Sequence, residues 1–89
     1  MYIEFRLPQG AGRETAYYAL AVIQNEITKW LEQHSLPCKQ KTIKYTHRLT
    51  FDDDHYYTLF ALTWNPKNRE QYPSWLTYYM IEPMKVDTN

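Results

Sequence analysis

Hydrophobic and polar positions alternate from Tyr2 to Leu7, with Ile3, Phe5 and Leu7 on one side and Tyr2, Glu4 and Arg6 on the other. A period of two puts alternate side chains on opposite faces of a pleated chain, so this segment predicts a half-buried strand, stopped by Pro8. The period then changes. Ala16, Leu20, Ile23, Ile27, Trp30 and Leu31 recur at three- and four-residue steps between Arg13 and about His34, the stripe of an amphipathic helix. Glu14 in the first turn and His34 in the last both suit the helix dipole. Pro37 prevents the helix from running on.

Alternation returns from Lys39 to Phe51, with Ile43, Tyr45, His47, Leu49 and Phe51 opposed to Thr42, Lys44, Thr46, Arg48 and Thr50. The threonines favour a second strand with one face toward solvent. Asp52-Asp53-Asp54 then reads as a tight acidic turn, and His55 to Trp64 as the returning strand of a hairpin, apolar on both faces. Pro66 and Pro73 bracket a polar loop with room for one 3₁₀ turn, and Trp75 to Glu82 reads as a last strand ended by Pro83. The predicted order is β-α-β-β-β. It forms an α+β two-layer sandwich with one long helix on a four-stranded, mainly antiparallel sheet. If the first two strands are neighbours, they run parallel through a right-handed crossover. Residues 1–85 form one domain and 86–89 a frayed tail.

Composition sharpens this picture. In 89 residues, 17% are aromatic and nine are Tyr. One helix cannot cover that many rings, so aromatic surface is expected on the open sheet face, and displayed apolar surface usually meets a partner. Formal net charge is zero, which gives no whole-molecule pull toward nucleic acid and favours self-association. Cys38 is the only cysteine, so the chain closes no disulfide within itself, and a cytoplasmic location is expected. No signal peptide and no membrane-spanning run is read in the sequence, so no membrane partner is expected.

Four constellations are candidates for chemistry. Gly10-Ala11-Gly12-Arg13 lies between a strand and a helix start, where free amides attract anions, and Arg13 adds charge. It lacks the third glycine of a dinucleotide fingerprint and the Gly-Lys-Ser/Thr ending of a phosphate loop. The Gly-x-Gly before a long helix is loosely similar to the acetyl-CoA pyrophosphate loop of N-acetyltransferases. That likeness would imply a CoA- or nucleotide-binding enzyme, although Leu7 stands where a basic or amide side chain belongs and the strands preceding that loop are missing. The ordinary reading is a flexible turn.

Lys39, Lys41, Lys44, His47 and Arg48 make a basic segment. Lys44 and Arg48 beside tyrosines would resemble a platform for single-stranded nucleic acid, but Lys39 and Lys41 fall on the opposite parity, and lysines also protect sheet edges. Asp52, Asp53, Asp54 and His55 match no metal loop, and as an acidic tip they could contact a basic partner surface. In the segment Tyr72, Trp75, Tyr78 and Tyr79, at least one ring should be partly exposed, since Tyr78 and Tyr79 face opposite ways in a strand. No catalytic motif is present, His47 reads as a hydrogen-bonded core residue, and no cofactor or metal is assigned.

The reading that follows is a small non-enzymatic accessory protein of the adaptor or inhibitor type, such as mobile elements carry. It binds another protein through an open aromatic and basic sheet face with Tyr2, Arg6, Lys44, Arg48 and Tyr78. Homodimerisation is plausible, and single-stranded nucleic acid on the same face is the alternative.

Overall fold

The computed structural model describes residues 1–7, 10 and 12–86. The chain is α+β. It holds a four-stranded antiparallel sheet of β1 (Tyr2–Arg6), β2 (Lys39–Ile43), β3 (Thr46–Thr50) and β4 (Met84–Val86), with a long helix α1 (Arg13–His34) and two shorter ones, α2 (Asp54–Thr63) and α3 (Ser74–Ile81). A 3₁₀ turn at Arg69–Gln71 fills the proline-bracketed loop, as its length allows.

The sheet order is β2-β3-β1-β4. β1 and β2 are not neighbours: β3 lies between them, antiparallel to both, so the two run the same way without pairing. β4 returns on the far side of β1. Two β-α-β units thus interleave in the split, or ferredoxin-like, path, with α2 and α3 together standing where that path has one helix.

Two expected strands are helices. His55 to Trp64 is α2 and Trp75 to Glu82 is essentially α3. β-favouring Tyr, Thr, Phe and Trp fill both, but their burial is helical. In α2 Phe60 is the fully buried position, with Tyr56, Tyr57, Leu59, Ala61 and, at the C-cap, Trp64 half-buried around it, and in α3 the buried positions are Leu76 and Met80, four apart. The acidic tip is accordingly no hairpin turn. Asp53 is the N-cap of α2, and its carboxylate accepts the His55 amide at 2.7 Å.

The single strand expected over Lys39–Phe51 is itself a hairpin. It folds at Lys44-Tyr45, where Lys44 takes a positive φ of 53°. Glycine or asparagine usually fills such a position, so the turn carries no sequence signal. β4 runs to Val86, one residue beyond the 1–85 boundary, and 87–89 lie outside the described residues.

All three helices cover one sheet face. The expected stripe of α1 is buried throughout, and Ser35 ends the helix in the left-handed conformation. Phe60 sits at the centre of the core, with ring centroids 5.0 Å from Trp30, 5.3 Å from Trp64, 5.7 Å from Phe51 and 6.4 Å from Phe5. The aromatic surplus is spent here and on the outer sides of the helices, not on the open face.

Candidate binding surface

Directly paired residues in an antiparallel sheet share a face. Ile3, Phe5, His47, Leu49, Gln40 and Thr42 point toward the helices, while Tyr2, Glu4, Arg6, Thr46, Arg48, Thr50, Lys39, Lys41, Ile43 and Met84 point away. The two-residue turn reverses the parity of the basic segment. Lys39 and Lys41, expected to point elsewhere, stand across from Thr50 and Arg48 on the uncovered face. Lys44, expected there, sits in the turn and lines a cleft of about 380 Å³ with Arg13, Tyr17, Thr42 and Tyr45.

The centre of the uncovered face is a charged triad. Glu4 is only 2% exposed although no helix lies over it. The Arg6 Nε donates to Glu4 Oε2 at 2.6 Å, and the Arg48 Nη2 and Nε donate to Glu4 Oε1 at 2.8 and 3.2 Å. Burial works to raise the Glu4 pKa, but the two guanidinium groups outweigh it and hold the carboxyl below the usual range. Arg48 also lies over the Tyr2 ring, 4.3 Å from its centroid. Arg6 and Arg48 keep 53% and 36% of their side chains exposed. With Lys39 and Lys41 beside them, this face carries a clear excess of positive charge. Ile43 and Met84 add apolar surface on the outer strands.

On the opposite face His47 is 1% exposed. Gln40 Oε1 can only accept, so the His47 Nε2–H donates to it at 2.9 Å, and Nδ1 accepts the Thr42 hydroxyl at 2.9 Å. The Gln40 amide donates onward to Thr28 of α1 at 3.2 Å. Burial lowers the His47 pKa. The ring is thus a neutral strut between β2, β3 and α1.

The remaining sequence candidates do not converge on this surface. Tyr78 is exposed on the outer side of α3, with its ring 5.3 Å from Tyr79. Asp52, Asp53 and Asp54 lie at the start of α2. Gly12 is the N-cap of α1 with φ 87°, Gly10 and Arg13 are exposed beside it, and Pro8, Gln9 and Ala11 of that loop lie outside the described residues. Burial pushes the Cys38 thiol up to about 12, leaving it protonated at neutral pH. Among the described residues, no group of three His, Cys, Asp or Glu side chains is placed to hold a metal, and no helix is long and apolar enough to cross a membrane.

Sequence reading named Lys39 and Lys41 but put them on the wrong face, and it missed Ile43, Met84 and the burial of Glu4. One signal could have placed the lysines. A strand running from Lys39 to Phe51 would exceed the roughly 10 residues that strands seldom pass, which calls for a fold-back inside it. Comparison with protein-family models, curated proteins and solved structures finds no match to the chain. The split topology hosts many unrelated activities and carries no function by itself.

Proposed function

We propose that this chain is a non-catalytic binding module that docks a protein partner against its uncovered sheet face. The observation that carries this reading is the Arg6–Glu4–Arg48 triad. Two guanidinium groups are held in place on a flat surface, flanked by Lys39 and Lys41, with Ile43 and Met84 on the outer strands. A surface that served only solvation has no need of a buried carboxylate, because taking charges out of water costs several kcal/mol that their attraction barely repays. Planar, pre-set arginines are typical anchors of protein interfaces. An adaptor or inhibitor would use such a face without reacting groups, and the protonated Cys38 and sequestered His47 fit that role.

The test is capture of partners from a lysate of the source organism by the wild-type chain and by three variants. Lys41→Glu and Ile43→Glu are expected to abolish capture while melting like the wild type, since both side chains are exposed on the outer strand, and Tyr78→Ala, on the helical side, is expected to leave it intact. The reverse pattern would move the docking surface to the helices and defeat the reading.

A further inference from the structure

We propose that the partner presents carboxylates to the Arg6–Arg48 pair, and that Glu4 is a positioning residue which sets the two guanidinium groups for them. This rests on the open-face reading above and names the chemistry of what binds there.

A guanidinium has five N–H donors in a planar fork. Glu4 takes only the Nε of Arg6, and it takes the Nε and one Nη2 hydrogen of Arg48. Both Nη groups of Arg6 and the outer donors of Arg48 have no partner among the described residues and lie at the exposed ends of the side chains. The triad keeps one net positive charge, and Lys41 stands directly across from Arg48. The surface is therefore built for an anion. The planar fork matches a carboxylate in two parallel hydrogen bonds, and the side-chain freedom lost on binding has already been removed by Glu4 and by the Tyr2 ring under Arg48.

Phosphates of a single-stranded nucleic acid share the charge. Such ligands also need rings on which bases stack, however, and among the described residues the one aromatic whose register places it on this face, Tyr2, is already covered by Arg48. Ile43 and Met84 on the outer strands instead suit the apolar side chains of a protein surface. These two observations select an acidic protein segment.

The sign of one substitution separates positioning from bulk charge. Glu4→Gln makes the face more positive. If the patch acts only as a field of charge, an acidic ligand binds more tightly to the variant. If Glu4 sets the arginines, binding weakens although the charge has risen. The experiment measures fluorescence anisotropy of a labelled acidic peptide of Asp, Glu and Leu, its Asn and Gln counterpart, and a single-stranded oligonucleotide. Each is run at about 50 and 200 mM salt, the range in which phosphate contacts reveal themselves.

The expected result is binding of the acidic peptide alone, weakened about tenfold or more in Arg6→Gln and Arg48→Gln and weakened also in Glu4→Gln. Arg6 is the more exposed partner, so Arg6→Gln stays informative if Glu4→Gln unfolds. Tighter binding by folded Glu4→Gln, stronger binding of the oligonucleotide, or no binding of the acidic peptide overturns the inference. So does self-association of the wild-type chain that Arg48→Gln abolishes while the peptide stays unbound. If the peptide fails yet Ile43→Glu still abolishes partner capture, the open-face reading stands and only the carboxylate chemistry falls.

Discussion

The two faces of one sheet each bury a titratable side chain, by opposite means. His47 is buried because helices lie over it, and it is kept neutral with every ring nitrogen paired. Glu4 is buried on the open face, where its partners are the two arginines that neutralise it, and it stays ionised. Burial on the covered face follows from layer packing and is widely shared. Burial on the open face depends on two arginines, one of them 44 positions away along the chain. The comparison teaches that depth and tertiary cover are separate things. A group can be removed from water by its own counter-ions, and such a group sits where a partner can still reach those counter-ions.

The sharpest break in the comparison comes from the covered side. Phe60→Ala removes the ring on which Phe5, Trp30, Phe51 and Trp64 converge and should cost about 3–5 kcal/mol in urea unfolding. A loss below about 1 kcal/mol would mean that the helices are not seated as described. The open side should respond more gently. Arg48→Ala leaves Glu4 with Arg6 alone and should cost about 1–3 kcal/mol. It should also raise the Glu4 pKa, readable by carboxyl-carbon NMR, and an unmoved pKa would argue that Arg48 does not hold the carboxylate.

A pH series then separates the faces. The folded-state pKa values of both His47 and Glu4 are lowered, so in each case the unfolded chain binds the proton more readily and stability falls with acid. The His47 contribution is present above the ordinary value of 6.5 and is lost as pH falls from there through its folded value. The Glu4 contribution begins to be lost only below 4.5. His47→Gln should flatten the upper limb of a melting-temperature profile and leave the lower one. Glu4→Gln should do the converse, and the same limb flattened by both variants would contradict the assignment. The smallest effect belongs to Tyr78→Ser on the outside of α3, which should shift stability by no more than about 0.5 kcal/mol in the same melts.

The first strand and the long helix were legible because each is governed by a single period. Ile3, Phe5 and Leu7 alternate, and the stripe from Ala16 to Leu31 keeps helical steps with a proline beyond its end. The segments 55–64 and 75–82 were misread because their residue types favour strands, while Phe60, Trp64, Leu76 and Met80 carry a helical burial pattern that short, aromatic-rich runs conceal. Asp53 offered the one local clue, as a helix cap, and an acidic turn explains the same residues equally well. Of the candidate surface, Tyr2, Arg6 and Arg48 were placed on the open face from alternation alone. Lys39 and Lys41 were assigned to the wrong side because the fold-back at Lys44-Tyr45 contains no Gly, Asn or Pro.

What the sequence determined by itself was the class of the fold: one domain-sized chain, a long helix, strands with a polar and an apolar face, and so a sheet with one covered side. These follow from periodicity, which is local and survives in any context. The tertiary structure alone decided which residues stand together on the uncovered side. Cross-strand neighbours such as Glu4 and Arg48 are joined by register, and register depends on where a chain turns and what packs beneath it. A carboxylate buried by arginines from two strands is therefore a property of the assembled sheet, and no local pattern in either strand announces it.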